Sequence, residues 1–238
     1  MEALSKKKVV VTGGTRGIGL AIATKLQHDG HEVLVTSTKN NGGLDKNFLY
    51  HQADFSTISA INEFANFLKS YSPDILINNA GINMISPFEE ITLESFLKIQ
   101  QVNVTAPFCL SQAVLSNMKK NHWGRIINIA SIWSKISKMG RASYSTSKFG
   151  LDGMTAALAA EVAVDGILVN CVSPGFTLTD LTKNTLGDEG IKAIAEHIPM
   201  KRLAESDEIA TFVAWLASEK NTYISGQNLV IDGGFTRV

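Results

Sequence analysis

The sequence predicts an α/β fold of the doubly wound type, a three-layer αβα domain around a seven-stranded parallel sheet. Short apolar runs alternate with longer amphipathic stretches along the whole chain, which is the pattern of a parallel sheet covered by helices on both faces. Apolar residues make up 45% of the 238 residues and charged residues only 18%, a composition that suits such a doubly buried sheet. No repeat, low-complexity segment or Pro/Gly-rich linker divides the chain, so we predict a single domain over residues 1–238.

The predicted elements follow one another as strand and helix. The strands are short runs of β-branched and other apolar residues: Val9–Val11, Glu32–Thr36, Phe48–Asp54, Asp74–Asn78, Arg125–Ala130, Ile167–Val172 and Asn228–Ile231. The helices are longer amphipathic stretches: Gly17–Asp29, Ile58–Lys69, Leu93–Lys120 with an interruption at Pro107, Ser143–Val164 and Ser206–Ala217. Two segments lack either pattern: Lys39–Asn47 is polar and contains glycine, and Phe176–Pro199 is predicted to be a loose region.

Composition and charge exclude several classes of protein. Lys plus Arg (22) equals Asp plus Glu (22), so the chain lacks the basic excess of a dedicated nucleic-acid binder. No apolar run approaches the roughly 20 residues of a membrane span, and the first one is too short for a secretory signal, so we expect a cytoplasmic protein. The histidines are scattered without metal-ligand spacing, which predicts no metal site. Cys109 and Cys171 have apolar neighbours and are interpreted as core residues rather than as a disulfide or a catalytic thiol.

The first strand runs into a glycine-rich turn, Thr12-Gly13-Gly14-Thr15-Arg16-Gly17-Ile18-Gly19, that opens a helix. Glycines permit a tight turn and let backbone N–H groups approach a diphosphate at a helix N-terminus, where the helix dipole favours negative charge. The spacing differs from the common G-x-G-x-x-G pattern, and an ordinary strand–helix turn is the alternative. The position of the turn, directly after the first strand, favours binding of a dinucleotide coenzyme.

The end of the second strand predicts which coenzyme is bound. An acidic side chain there would accept hydrogen bonds from the adenosine 2′-hydroxyl and repel a 2′-phosphate. This strand ends instead in Thr36-Ser37-Thr38-Lys39, without a carboxylate, and Arg16 supplies a further cation from the glycine-rich turn. Because hydroxyls and cations suit a phosphate, we favour NADP(H) over NAD(H). The alternative is that Arg16 and Lys39 are solvated surface charges.

A second group of polar residues indicates acid–base chemistry. Tyr144 and Lys148 lie four residues apart at the start of a predicted helix, so their phenol and ammonium share one helix face. A neighbouring cation favours the phenolate and lowers the pKa of the phenol from about 10 toward the range useful for catalysis. Ser131 follows a strand, at the sheet edge where doubly wound folds collect catalytic groups. Asn103 is an amide within a predicted helix, and Asn78-Asn79-Ala80-Gly81 ends another strand.

Together these motifs resemble the short-chain dehydrogenase/reductase family over essentially the whole chain. Thr12–Gly19 is similar to the TGxxxGxG coenzyme loop of that family, Asn78–Gly81 to its NNAG motif and Pro174-Gly175 to its PG motif. The matches to its catalytic tetrad, in order and spacing, are Asn103, Ser131, Tyr144 and Lys148. Further matches resemble the branch of the 3-oxoacyl-[acyl-carrier-protein] reductases: Gly124–Ile127, Ala142–Lys148, Val169-Asn170, Pro174–Phe176, Ile224–Gln227 and Asp232–Gly234.

The resemblance implies a role for each member of the tetrad. Tyr144 would protonate the carbonyl oxygen during reduction, and Lys148 would lower the pKa of Tyr144 and hold the nicotinamide ribose. Ser131 would polarise the carbonyl through a hydrogen bond, and Asn103 would hold a water in a proton path to Lys148.

The resemblance also implies a Rossmann-type coenzyme site. Asp54 would meet the adenine amino group, and Thr177 the carboxamide end of the nicotinamide. The implied coenzyme-binding residues are Gly13, Thr15, Arg16, Gly17, Ile18, Gly19, Ser37, Thr38, Asp54, Phe55, Asn79, Ala80, Gly81, Tyr144, Lys148, Pro174, Gly175 and Thr177.

The implied reaction is NADPH-dependent reduction of a ketone to a secondary alcohol, with a 3-oxoacyl thioester as the first expectation; whether the thioester is bound to an acyl carrier protein stays open. A keto-sugar or another small carbonyl compound is the alternative, and a non-catalytic coenzyme-binding regulator is a remote one. Arg125 is compatible with docking of an acidic carrier protein, whereas Asp165 stands where a basic side chain is expected.

The resemblance further implies a homotetramer, and residues 176–199 are expected to form a lid over the substrate. The residues expected to line the substrate, with ordinary core or oligomer packing as the alternative for each, are Met84, Ile85, Trp133, Met139, Phe176, Leu178, Leu186, Ile191 and Ile194.

Overall fold

The computed structural model describes residues 6–40 and 46–238 of the chain. In this part of the chain the strands are β1 (Lys8–Val11), β2 (Glu32–Ser37), β3 (Leu49–Gln52), β4 (Ile75–Asn78), β5 (Gly124–Ile129), β6 (Ile167–Pro174), β7 (Thr177–Leu178), β8 (Ala204–Glu205) and β9 (Asn228–Ile231). The α-helices are α1 (Gly17–His28), α2 (Ile58–Tyr71), α3 (Leu93–Gln100), α4 (Ala106–Lys120), α5 (Ala142–Val162), α6 (Asp180–His197) and α7 (Ser206–Ala217).

Seven strands form one parallel sheet in the order β3-β2-β1-β4-β5-β6-β9, which confirms the predicted fold class. β7 and β8 form a separate two-residue pair. The chain adds β2 and β3 on one side of β1 and the later strands on the other, so the order reverses between β1 and β4. Doubly wound sheets bind their ligands at such a reversal, in the crevice outside the carboxyl ends of the strands.

Helices cover both faces of the sheet, as the alternation of the sequence predicts. On one face, Val9 and Val11 of β1 belong to an apolar cluster with Ile22 of α1 and Val213 of α7. On the other face, Val10 belongs to a cluster with residues of α2 and α4. Successive side chains of a strand point to opposite faces, and none of these three valines has exposed surface. The core therefore fixes the end of β1, from which the glycine-rich turn emerges.

The structure corrects the prediction that Pro107 interrupts one long helix. The irregularity lies earlier, where a π-helical turn, Gln101–Thr105, joins α3 to α4. Pro107 lies in the first turn of α4, a position at which helices tolerate proline. π-helical turns within helices are frequent at functional sites, and this one carries Asn103.

The prediction of a loose region over Phe176–Pro199 is wrong, because most of it is α6. The N-cap Thr179 accepts a hydrogen bond from the backbone N–H of Thr182 at 3.2 Å. No residue of α6 is buried, so its sequence lacks the apolar periodicity by which a helix is recognised. At Gly187 the backbone leaves helical geometry (φ 62°, ψ 178°), and the segment consists of two helical pieces that meet at this kink.

Four further predictions concern the polar segment after β2, membrane-spanning helices, metal sites and the two cysteines. Residues 41–45 of the predicted polar segment Lys39–Asn47 lie outside the described residues. Within the described ranges, no helix is long and apolar enough to cross a membrane. Over those same ranges, no three His, Cys, Asp or Glu side chains group as a metal site would require. Cys171 is buried, Cys109 is partly buried, and both are free thiols.

Candidate active site

The glycine-rich turn and the NNAG segment meet where the strand order reverses. The Thr12 hydroxyl accepts hydrogen bonds from the backbone N–H groups of Asn79 (2.9 Å) and Ala80 (3.0 Å). The Asn79 side-chain amide donates to the carbonyls of Thr12 (2.9 Å) and Gly13 (3.1 Å). The Gly13 N–H donates to the Thr36 hydroxyl of β2 at 3.2 Å. These bonds join the carboxyl ends of β1, β2 and β4 into one side of a cleft.

The glycine-rich turn fits the diphosphate of a nicotinamide coenzyme. A Cβ at Gly19 would lie 2.4 Å from the Gly13 carbonyl oxygen, so the backbone approach at the start of α1 excludes a side chain. Gly17 has a φ of +54°, and a Cβ there would lie 3.4 Å from Thr179, which precedes α6. The first turn of α1 contains no acidic residue, and the side chain of its N-cap Arg16 makes no capping hydrogen bond. The helix N-terminus therefore offers backbone donors without a competing carboxylate.

The end of β2 presents polar groups without a carboxylate. The Ser37 hydroxyl accepts a hydrogen bond from the Lys39 N–H at 3.0 Å and donates to the Lys39 carbonyl at 3.2 Å, so it shapes the turn. Thr38, Lys39 and Arg16 are exposed. Among the described residues, neither Arg16 nor Lys39 takes part in an ion pair. Both cations are therefore available to an anion.

The other predicted coenzyme-binding residues lie at the carboxyl ends of β3 and β6. Asp54 is exposed, and hydrogen bonds from Ser56 hold the pKa of its carboxyl below the usual value. Phe55 is buried beside it. The Thr177 hydroxyl is buried and donates to the Gly175 carbonyl at 3.2 Å. Of three more predicted residues, Thr15 lies in the glycine-rich turn, Ile18 in the first turn of α1, and Pro174 at the end of β6. Their contacts with a coenzyme stay predictions.

Three predicted catalytic residues meet beside the carboxyl end of β5. Lys148 is buried; its Nζ donates to the Ile129 carbonyl at 2.8 Å and lies 5.5 Å from the centre of the Tyr144 ring. The Ser131 hydroxyl is close enough to the Tyr144 phenol to lower its pKa. A Cβ at Gly81 would lie 3.7 Å from Lys148 Nζ, so the NNAG segment closes this side of the site. Hydroxyl, phenol and ammonium therefore stand together next to the coenzyme cleft.

Burial dominates the pKa values of these groups. Desolvation raises the pKa of Tyr144 above its ordinary value, while the Ser131 hydroxyl and the charge of Arg141 oppose the rise. Desolvation also lowers the pKa of Lys148 to about 8. Desolvation outweighs the effects that lower the pKa of Tyr144, so the net shift is opposite to the sequence-based expectation of a lowered pKa. The phenol keeps its proton at neutral pH, which is the form that a proton donor needs.

Asn103, the fourth predicted catalytic residue, joins three segments through its side chain. Its Oδ1 accepts from the Ile82 N–H at 2.9 Å, and its Nδ2 donates to the Ile82 carbonyl at 2.9 Å and to the Ser147 hydroxyl at 3.0 Å. Ser147 in turn donates to the Tyr144 carbonyl at 2.7 Å. Both amide hydrogens are used, so the side chain positions the NNAG segment against α5. A role for Asn103 in holding a water stays a prediction.

A polar cluster behind Ser131 escaped the sequence analysis. The Ser134 hydroxyl donates to the Ser131 carbonyl at 2.7 Å and accepts from the Asn228 amide at 2.9 Å. Ser173 completes the cluster, at 2.9 Å from Ser134 and donating to Asn228 Oδ1 at 2.6 Å. Since the cluster joins β5, β6 and β9, it fixes the backbone that carries Ser131. These residues lie up to 94 positions apart in sequence, so only the strand order brings them together.

The structure corrects the reading of Arg125 as a docking residue for a carrier protein. Arg125 is buried near the start of β5, at the opposite edge of the sheet from the candidate site. Its guanidinium donates to the carbonyls of Gly124, Gly166 and Asn221 at 2.8, 3.3 and 3.0 Å. Asp165 forms an ion pair with Lys119 at 3.2 Å, also away from the site.

Part of the predicted substrate lining is close to Ser131. Trp133 is buried, donates its backbone N–H to the Ser131 hydroxyl at 3.3 Å, and meets Phe176 edge to face with ring centres 6.4 Å apart. Ile85 approaches Gly140 in the loop that precedes α5. The other predicted lining residues are exposed or partly exposed: Met84, Met139, Leu178, Leu186, Ile191 and Ile194. Their contacts with a substrate stay predictions.

Comparisons with known proteins match the whole chain. A family model described as Enoyl-(Acyl carrier protein) reductase matches residues 13–236. The 3-oxoacyl-[acyl-carrier-protein] reductase FabG of Buchnera aphidicola subsp. Schizaphis graminum is 39% identical over 239 residues, covering 97% of this chain and 98% of the relative.

Solved structures share the complete fold. A protein from Beutenbergia cavernae, proposed to be an NAD(P)-dependent gluconate 5-dehydrogenase and solved with bound NADP, is 31% identical with a TM-score of 0.91, and all of both chains is covered. 4-Hydroxyisoleucine dehydrogenase in complex with NADH is also 31% identical with a TM-score of 0.91, covering 98% of this chain and 100% of that one. The sheet is doubly wound, its carboxyl edge carries these motifs, and the sequence match spans nearly the entire chain. The protein therefore belongs to the short-chain dehydrogenase/reductase family of nicotinamide-dependent oxidoreductases.

Proposed function

We propose that the protein is an NADPH-dependent reductase that transfers a hydride to a ketone and releases a secondary alcohol, with a 3-oxoacyl thioester as the leading substrate. The observation that carries this proposal is the buried ammonium of Lys148, which lies 5.5 Å from the centre of the Tyr144 ring and donates to the Ile129 carbonyl at the end of the strand that leads to Ser131. The substrate class is supported by the similarity to the 3-oxoacyl-[acyl-carrier-protein] reductase of Buchnera aphidicola.

The chain's own groups complete the reduction as follows. When bound in the cleft, a nicotinamide coenzyme would be the source of the hydride that the carbonyl carbon accepts. As negative charge grows on the carbonyl oxygen, Ser131 donates a hydrogen bond to it and Tyr144 delivers the proton. Transfer of this proton converts Tyr144 into a phenolate. The ammonium of Lys148 stabilises the phenolate, because the two groups lie in a site of low dielectric. One hydride and one proton convert the ketone into the alcohol.

Acetoacetyl-CoA, a soluble mimic of a carrier-bound substrate, tests the proposed substrate class. We expect NADPH absorbance to fall when enzyme, NADPH and acetoacetyl-CoA are mixed, and to stay constant when either the enzyme or the thioester is omitted. If the enzyme oxidises NADPH with small keto-sugars or keto acids but not with acetoacetyl-CoA, the thioester proposal is wrong and the alternative substrate class stands.

Arg16 is the residue we expect to select NADPH over NADH. Its exposed guanidinium, without an ion-pair partner in the described residues, suits the 2′-phosphate. Because charge-assisted hydrogen bonds contribute about 1.5–3 kcal/mol, Arg16→Ala should raise the KM for NADPH by about 10- to 100-fold and leave the KM for NADH nearly unchanged. Steady-state kinetics with both coenzymes measure this, and a wild-type preference for NADH would contradict the proposal.

A small carbonyl compound that carries an anionic group is the second candidate substrate. It is favoured by Arg141, whose charge acts on Tyr144. The names of two structural relatives, a gluconate 5-dehydrogenase and a 4-hydroxyisoleucine dehydrogenase, also specify substrates with a carboxylate.

We also propose that the enzyme works in the cytoplasm as a homotetramer. Phe108 of α4 and Phe149 of α5 are 51% and 46% exposed, and exposed aromatic side chains of this kind are typical of surfaces that pack against another chain.

A further inference from the structure

The loop between Ser131 and Tyr144 carries three cations, of which only one is neutralised by a carboxylate. Lys135 forms an ion pair with Asp152 at 3.2 Å. Lys138 and Arg141 have no ion pair within residues 6–40 and 46–238. Both instead lie over the ring of Trp133, at 5.4 and 5.5 Å from its centre. The loop therefore holds two cations on one buried indole without a neutralising charge.

Arg141 is the cation of this loop whose charge reaches the reacting groups. It lowers the pKa of the Tyr144 phenol. The indole over which it lies belongs to Trp133, whose backbone N–H donates to the Ser131 hydroxyl at 3.3 Å. Arg141 is thus connected to both residues that would bind the substrate carbonyl.

The guanidinium of Arg141 has an unpaired buried donor. Its Nε is buried and has no hydrogen-bond partner, although buried polar groups in native structures nearly always have one. Desolvation lowers the pKa of Arg141 below its ordinary value, which reflects the cost of keeping this charge without a partner. A planar cation with an unused donor, stacked on an aromatic ring, is the arrangement that suits bidentate binding of a carboxylate or phosphate.

We propose that Arg141 binds an anionic oxygen group of the ketone substrate while Ser131 and Tyr144 bind the carbonyl. This inference rests on the proposed reductase function and extends it to substrate recognition. The anion is either a carboxylate of a small keto acid or a phosphate on the carrier arm of a thioester, since both present the oxygens that a guanidinium recognises.

Two pairs of substrates separate these sources of the anion. Acetoacetate and methyl acetoacetate differ in the carboxylate. Acetoacetyl-4′-phosphopantetheine and acetoacetyl-pantetheine differ in one phosphate. For wild-type enzyme we expect kcat/KM to favour the charged member of one pair by about 10- to 100-fold, the range of a charge-assisted hydrogen bond of about 1.5–3 kcal/mol.

Three variants test whether Arg141 causes that preference. Arg141→Gln should bring the ratio of kcat/KM within the responsive pair close to one, and Arg141→Lys should restore part of it. Lys135→Gln, which removes a paired cation from the same loop, should keep the wild-type ratio. The inference is overturned if Arg141→Gln leaves both ratios at their wild-type values, or if the wild-type enzyme shows no preference within either pair.

A binding measurement separates failure of this inference from failure of the proposed function. Calorimetric titration of the NADPH-saturated enzyme with 3-hydroxybutyrate and with inorganic phosphate reports anion binding without turnover, because an alcohol has no hydride acceptor when the coenzyme is reduced. If none of the four ketones is reduced, the thioester reductase proposal fails. Anion binding that Arg141→Gln weakens at least about tenfold, and Lys135→Gln does not, would still support the Arg141 site. Equal binding by all variants would overturn it.

Discussion

Tyr144→Phe is expected to lower kcat for ketone reduction by about 10²- to 10⁴-fold, the contribution typical of a positioned proton donor. The substitution removes one hydroxyl and keeps the ring that contacts Lys148. Burial holds the pKa of Tyr144 above its ordinary value, so the phenol is protonated at neutral pH and can act as the proton donor. Single-turnover measurement of NADPH oxidation reads the loss directly, because it isolates hydride and proton transfer from product release.

NADPH binding should survive this substitution. The glycine-rich turn and its bonds to Asn79 and Thr36 do not involve the Tyr144 hydroxyl. We therefore expect the Kd for NADPH, from coenzyme fluorescence, to change by less than about threefold. Tyr223→Phe removes the same hydroxyl from a side chain that is 97% exposed and serves as the matched control. Turnover by Tyr144→Phe at the wild-type rate would remove this residue from the mechanism.

The sequence was sufficient for the fold because the sheet is buried on both faces. Each strand is a short apolar run, and the predicted strand Asn228–Ile231 and helix Ser206–Ala217 have the observed bounds. α6 was missed for the opposite reason, since it buries no residue and so carries no apolar stripe. The burial of Arg125 could not be predicted from the strand sequence, because besides the carbonyl of neighbouring Gly124 its guanidinium donates to those of Gly166 and Asn221, which are distant in sequence.

For the candidate site as well, features set by neighbouring residues could be predicted from the sequence, and features set by the fold could not. Tyr144 and Lys148 share a helix face, so their approach could be predicted from a spacing of four residues. The environment that sets their pKa values could not, because desolvation depends on how β5, α5 and the NNAG segment close around them. Arg141 was missed although its position is a usable signal: it is the N-cap of α5, three residues before Tyr144.

Gly19→Ala is expected to disrupt the coenzyme site. A Cβ at this position would lie 2.4 Å from the Gly13 carbonyl oxygen and 2.4 Å from the Asn79 side-chain nitrogen. Neither atom can move freely, because Asn79 donates to that same carbonyl at 3.1 Å and thereby joins the turn to β4. We expect the Kd for NADPH to rise by more than about tenfold and the free energy of unfolding to fall by about 1–3 kcal/mol, the usual cost of overpacking.

Gly153→Ala is the matched control for the added methyl group. Gly153 is exposed within α5, and a Cβ there would have no atom within 4 Å. Since alanine is the better helix former, the free energy of unfolding of this variant should be about 0.5–1 kcal/mol higher than that of wild type. The variant should bind NADPH with the wild-type Kd. Denaturant unfolding without coenzyme measures both stabilities. Coenzyme fluorescence then shows whether Gly19→Ala weakens binding in the fraction that is folded. Wild-type affinity in folded Gly19→Ala would mean that the close backbone approach at the start of α1 serves chain packing alone, and that the diphosphate lies elsewhere.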